Sequence, residues 1–345
     1  MSHGVARSVM TIHMLMSETR PPYVVPSMQE LAHVSSNGLQ IVSTFSGCGG
    51  SCLGFRMAGY RVLWANEFVP AAADTYRANH PTTPLDVRDI REVTGASIRD
   101  VIGDARIDVL EGSPPCASFS SAGVRDAHWG RVRDYSDTKQ RTDDLFFEFA
   151  RLLRELQPRA FVAENVSGLL KGVARGYFKD IYRTLREAGY DVRAQLVDAQ
   201  WLGVPQMRQR TILIGVRLDE QRVPVFPRPL PYRYGVRDAL PHVVRMQHSN
   251  VRWLSASQPA STIVASGWTV TPRAQFSGGT YVEVVNARGR SERRKLTIDE
   301  LRALCSFPTD FVLTGTFAQQ WERLGRSVPP LMMRALAQSL VEVLT

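Results

Sequence analysis

The run Ile107-Asp108-Val109-Leu110-Glu111, closed by Gly112-Ser113-Pro114-Pro115-Cys116, constrains this chain more than any other stretch. It is short, apolar and followed by glycine, which predicts a buried parallel strand in an α/β fold. Two prolines stiffen the turn and fix the direction of the side chain that follows, Cys116. A thiol just past the carboxyl end of such a strand stands where α/β sheets place their chemistry. As a thiolate it is a strong nucleophile. The plainer alternative is a small residue packed after a turn.

Other strands repeat the pattern. Leu39 to Phe45 reads as the first, followed by the Gly-rich turn Ser46-Gly47-Cys48-Gly49-Gly50-Ser51 and a helix from Cys52 to Ala58. Strand, glycine turn and helix start make a cradle for a nucleotide-type cofactor. Val62 to Glu67 ends in an acid about twenty residues on, the place of a ribose-binding carboxylate. A third strand is expected to end near Asp89-Ile90. No lysine completes a phosphate-binding loop, so a nucleoside without a triphosphate is favoured. Residues 117–143 are polar and read as a long functional loop carrying Arg125, Arg131, Arg133 and Arg141. A helix from Asp144 to Leu156, strand Ala160 to Ala163 ending in Glu164-Asn165-Val166, helix Tyr177 to Ala188 and strands Asp191 to Val197 and Thr211 to Val216 follow. Residues 1–38 show no sustained period and read as an extension or partly ordered arm.

Composition narrows the partners. No apolar run approaches the ~18–20 residues of a membrane span, and Met10 to Met16 is broken by His13, unlike a signal peptide. Cysteines 48, 52, 116 and 305 form neither paired CxxC motifs nor a disulfide framework, so no metal site is expected and a reducing cytoplasm fits. Cys48, Cys52 and Cys305 read as packing residues, and His80 and His128 have no evident partner. The net charge of +9 favours a polyanionic partner. It is concentrated: residues 219–294 hold eleven arginines, no lysine and five acids. That span also carries seven prolines and a poor period, and reads as loop-rich and basic. Arginine forks match phosphates and guanine edges.

These motifs, taken in order, resemble the DNA (cytosine-5) methyltransferases from Ile41 to the C-terminus. The series is Phe45 to Gly50, Glu67, Asp89-Ile90, Gly112 to Cys116, Asp144-Leu145-Phe146-Phe147, Glu164-Asn165-Val166, Gln206-Met207-Arg208-Gln209-Arg210, Leu296 to Leu301 through Phe307-Pro308, and Gly325 to Pro330. The resemblance implies a doubly wound, mostly parallel Rossmann-like sheet in residues 39–217 plus 321–345, with the helix Pro330 to Leu344 returning to it. A smaller target-recognition domain would fill 218–320. It implies S-adenosylmethionine as donor, bound by Phe45, Gly47, Cys48, Gly49, Gly50, Glu67, Phe68, Asp89, Ile90, Pro114, Leu145, Arg326, Ser327 and Val328. Cys116 would add to C6 of a cytosine flipped out of double-stranded DNA. Glu164 would hold the base edge at N3, with its pKa raised if buried. Arg208 and Arg210 would hold the base carbonyl, a phosphate and the closed loop. The protein is expected to be a cytoplasmic monomer of bacterial or phage type.

Two positions depart from the family pattern: Ala117 where glutamine is usual, and Arg326 where asparagine is usual. A fixed guanidinium beside a cationic donor is unfavourable. It would suit a donor with an added carboxylate, so carboxy-S-adenosylmethionine and carboxymethyl transfer form an alternative. A tRNA cytosine methyltransferase and an inactive DNA-binding homologue are further alternatives.

Overall fold

The computed structural model describes residues 20–115, 133–136, 138–142, 144–170, 174–248, 252–265, 280–285 and 288–345. In chain order the first half runs α1 (Met28–Leu31), β1 (Gln40–Thr44), α2 (Gly50–Met57), β2 (Arg61–Asn66), α3 (Pro70–Asn79), β3 (Leu85–Asp86), α4 (Gly95–Ile102) and β4 (Val109–Gly112). The middle holds β5 (Arg133–Tyr135), β6 (Thr138–Gln140), α5 (Leu145–Leu156), β7 (Ala160–Val166), α6 (Ala174–Glu187), β8 (Tyr190–Asp198) and β9 (Gln209–Arg217). The last part holds α7 (Val236–Ala239), β10 (Val243–His248), β11 (Leu254–Ser255), β12 (Thr280–Val285), β13 (Ser291–Lys295), α8 (Ile298–Leu304), α9 (Phe317–Arg326) and α10 (Pro330–Leu344).

Seven strands form the main sheet in the order β3-β2-β1-β4-β7-β9-β8. Only β9 is reversed: β7 and β8 both pair with it antiparallel, and the remaining neighbours pair parallel. Strand alternation sends Ile41, Val109, Val162, Ile212 and Ile214 to one face, with α2 and α10. Val42, Leu110, Phe161 and Leu213 go to the other, with α4, α5 and α6. This is the doubly wound, Rossmann-like α/β architecture. Order reverses between β1 and β4, so the crevice for a ligand lies beyond their carboxyl ends. Helix α10 closes the α2 face from the far end of the chain. A Cβ on Gly54 would lie 2.5 Å from that of Met333, so glycine lets the two helices touch.

Four expectations need correction. The third strand ends at Asp86, and Asp89 instead caps a 3-10 turn at Ile90–Glu92. The stretch 219–294 is not merely loop: it carries most of an antiparallel sheet, β11-β10-β12-β13. Its signal is faint because β12 alternates over only six residues and β13, Ser-Glu-Arg-Arg-Lys, is wholly polar. Within 117–143, β5 and β6 form a hairpin; residues 117–132, with Arg125, His128 and Arg131, lie outside the described residues. The arm is docked from Arg20 on. Arg20 pairs with Asp238 at 2.5 Å, Tyr23 donates to Ala303 O at 3.1 Å, and Ser27 and Glu30 build a capping box. Residues 1–19 lie outside the described residues.

Candidate active site

A cavity opens at the carboxyl ends of β1, β2 and β4. It is lined by Phe45, Gly47, Cys48, Gly50, Glu67, Phe68, Asp89, Ile90, Leu145, Arg326, Ser327 and Val328, all singled out from sequence. Gly49 and Pro114 do not line it. Ser46, Ser51, Ser113, Pro115, Tyr135, Ser136, Glu322 and Arg323 do, and sequence reasoning missed them. Tyr135, Ser136, Glu322 and Arg323 fall outside the motifs and reach the cavity only through the fold.

The Gly-rich turn is shaped by conformation and by closeness. Gly47 and Gly49 have φ of 57° and 93°, the left-handed region that glycine adopts freely. A Cβ on Gly50 would lie 2.4 Å from the Val328 carbonyl oxygen, so the turn packs directly on the last motif. Gly49 lies over His80, which is buried and stacked on Tyr76 with ring centroids 4.5 Å apart. His80 Nδ1 also lies 3.4 Å from an Arg56 nitrogen, so this histidine does have partners. Burial, then the Arg56 charge, press its pKa down to about 3.

Glu67 is buried and accepts the N–H of Gly47 and of Val69, each at 2.7 Å. Its carboxylate thereby braces the turn while facing the cavity. Burial raises its pKa, and the two backbone donors with Arg323 and Arg326 oppose that rise. Asp89 is fixed by Arg91, which contacts it at 2.9 Å and Asp144 at 2.6 Å. Arg91 thus ties one cavity wall to the start of α5. Burial pushes the Cys48 thiol up to about 12, Cys52 likewise and Cys305 to about 11, so all three stay thiols at neutral pH.

The turn after β4 bridges this cavity and the end of β7. Ser113 and Pro115 line the cavity, while the Pro114 carbonyl accepts from Asn165 Nδ2 at 3.1 Å. Cys116 and Ala117 lie outside the described residues. Glu164, on the same strand end, is 8% exposed. Arg210 Nε lies 2.7 Å from its Oε1 as a charge contact, without an aligned N–H, so that oxygen keeps its acceptor capacity. Arg208 is placed differently from expectation. Its guanidinium is buried and donates to the carbonyls of Ile263, Gly325 and Arg326 at 3.3, 3.0 and 3.2 Å. It bolts the last motif to residue 263 instead of facing a base. Arg326 lines the cavity, but Glu322 takes its guanidinium at 2.7 Å and the Tyr135 ring lies 4.0 Å away.

Of the arginines in 219–294, Arg294 pairs with Glu300, Arg293 with Glu283, and Arg233 lies over Trp201. These three are engaged within the protein, and Arg245 of β10 is exposed.

A doubly wound sheet with a cleft at its switch point is the architecture in which open α/β folds bind their ligands, and here a carboxylate–arginine pair stands one strand away. The chain belongs to the C-5 cytosine-specific DNA methylase family, which it matches over residues 39–255 and 236–342. It is 31% identical to the type II methyltransferase M1.HphI of Haemophilus parahaemolyticus, over 89% of this chain and 88% of that one. Identity to M.FnuDI of Fusobacterium nucleatum is 30%, over 89% and 95%. A crystal structure of a Spodoptera frugiperda DNMT2 variant superposes with a TM-score of 0.65 at 18% identity, over 89% of this chain and 99% of that one, a likeness of fold. Among the described residues no helix is long and apolar enough to cross a membrane.

Proposed function

We propose that the protein methylates C5 of cytosine in double-stranded DNA with S-adenosylmethionine. The observation that carries this is the turn Gly112–Pro115, which lines the donor cavity on one side and is bonded to the Glu164 strand on the other. The cavity suits an adenosyl donor: Glu67 offers a buried carboxylate for ribose hydroxyls, and Phe68, Ile90 and Leu145 offer apolar wall for a flat base. When bound, that donor supplies an electrophilic methyl group. Residues 218–320 would read the DNA, and residues 39–217 plus 321–345 would carry the chemistry.

The rest falls to the chain. Cys116 as thiolate adds to C6, forming an S–C bond and making C5 nucleophilic. Glu164 holds the N3 edge, which steadies the charge that the addition places on the ring. Arg210 orients Glu164 and is the better placed of the two arginines to reach the base; Arg208 supports from behind. After alkylation, loss of the C5 proton and departure of Cys116 restore the aromatic ring. A duplex carrying 5-fluorocytosine tests this, because fluorine cannot leave as a proton does. A denaturation-resistant adduct should form and vanish in Cys116→Ser. An adduct with tRNA alone would point to the tRNA reading, and none with either substrate to a binding protein.

A second reading has one supporting observation: Arg326 lines the donor cavity. Carboxymethyl transfer from carboxy-S-adenosylmethionine would place the donor's carboxylate against that guanidinium, in competition with Glu322. Competition between the two donors, read by mass analysis of the base, decides. Carboxymethylcytosine lost in Arg326→Asn supports this reading; methylcytosine alone from both proteins removes it.

A further inference from the structure

Glu111 sits in β4 just ahead of the Pro-Pro turn and is 1% exposed. It stands opposite Ser43 in register, and Ser43 Oγ donates to its Oε2 at 2.6 Å. Ser43 Oγ in turn lies 2.8 Å from Ser46 Oγ. Ser51 and Ser113 stand beside the same carboxyl, Ser113 without an aligned hydrogen bond. Ser46, Ser51 and Ser113 all line the donor cavity. One layer of hydroxyls therefore separates a buried carboxyl from the space assigned to the donor. No arginine or lysine forms an ion pair with Glu111 among the described residues.

We propose that Glu111 is the counter-charge of a sulfonium donor, shifted toward its ionised form when the donor binds and back toward its protonated form when the cavity holds no cation. The inference rests on the donor proposed above. Its physical basis is a balance. Burial raises the carboxyl, the hydroxyls of Ser43, Ser51 and Ser113 pull it down and the Glu164 charge pushes it up, which leaves it at about 7. The ionisable groups that face it are Cys52 of α2, Tyr76 of α3 and Glu164 of β7. Burial holds Cys52 and Tyr76 neutral, so neither supplies a counter-charge. A cation arriving within a few ångströms favours the carboxylate, typically by ~1–3 pKa units. The proton goes to solvent on binding. Once the methyl group has left, the product is a neutral thioether, the attraction ends and the proton returns. The device favours charged donor over spent product in a cavity that both fit.

Calorimetry of S-adenosylmethionine and of its thioether product, in phosphate and in Tris, reads the proton directly. For a one-unit shift the wild type should release ~0.4 proton per donor at pH 7, and donor affinity should rise about fivefold from pH 6 to pH 8. The thioether should show neither effect beyond what the amino group shared by both ligands contributes. Glu67 also lines the cavity and remains in the Glu111 variants, so any release of its own persists there. Glu111→Gln, and Glu111→Leu should the first fold poorly, should bind the donor about tenfold more weakly than wild type at pH 8 and should lose the extra release and the pH slope. Equal release for both ligands, or release that survives in either variant, overturns the inference while leaving the donor assignment intact. Failure of the wild type to bind either ligand overturns the donor assignment and the inference together.

Discussion

Arg208 and Arg210 stand two residues apart in one motif and meet different fates. Arg210 lies within β9 and reaches Glu164; Arg208 precedes β9 and is sealed under the last motif. Arg208 donates from Nη1 and Nη2 to three carbonyls while its Nε stays unpaired, so Arg208→Ala leaves buried acceptors without partners. Denaturant unfolding should show a loss of about 3 kcal/mol. Arg208→Lys should restore part of it, because one ammonium cannot span three carbonyls. A variant as stable as wild type would contradict the clamp. This division was not readable from the motif, which gives residue type and spacing but not which arginine the α9 end covers. The burial of Glu164 was not legible from its strand alone, where an exposed acid is as good a reading; what singles it out in the sequence is its place in the motif series beside Cys116 and the arginine pair. Glu111 ends its own apolar run in the same way, and nothing in that run shows that the fold buries its carboxyl against Ser43.

At the scale of elements, the cavity proposed for the donor is a meeting of three segments: the Gly-rich turn into α2, the 3-10 turn at Asp89, and the α9–α10 junction at Ser327-Val328. Gly50 lets the first and third approach, with the Val328 carbonyl 2.4 Å from where a Cβ would be. Gly50→Ala should push that backbone oxygen away and weaken donor binding at least tenfold by calorimetry. Unchanged donor affinity would show that the contact does not shape the cavity. The longer strands of the main sheet, the first helices and this turn were legible because each has its own periodicity or glycine signature, whereas β3, two residues long, has none. The hairpin β5–β6 and the sheet β10–β13 were not. Their strands are short and polar, and they are held by cross-strand pairing that no single segment displays.

Over the whole molecule, three buried groups dominate the response to pH, and Glu67, also raised by burial, adds to the slope of the first. The Glu111 carboxyl, raised from 4.5 to about 7, binds its proton more tightly when folded, so its stability term is full below 4.5 and is lost as pH rises to about 7. His80, pressed from 6.5 to about 3, is buried neutral, so its term is full above 6.5 and is lost as pH falls. Glu300, lowered to about 2 despite its burial by Arg294, His242 and the Thr297 backbone, adds a further loss below 4.5. Between 4.5 and 6.5 the Glu111 and His80 slopes oppose each other. Thermal melts should therefore plateau there, falling on both sides. In Glu111→Gln the fall above 6.5 should shrink and the plateau should tilt upward with pH. Parallel profiles for variant and wild type would contradict the assignment. The central claim concerns the base that is changed, and mass analysis of nucleosides from duplex DNA incubated with the protein and S-adenosylmethionine tests it most directly. The account predicts 5-methylcytosine, absent with Cys116→Ala; a methyl group found instead on an exocyclic amine, or 5-methylcytosine undiminished in Cys116→Ala, would contradict it.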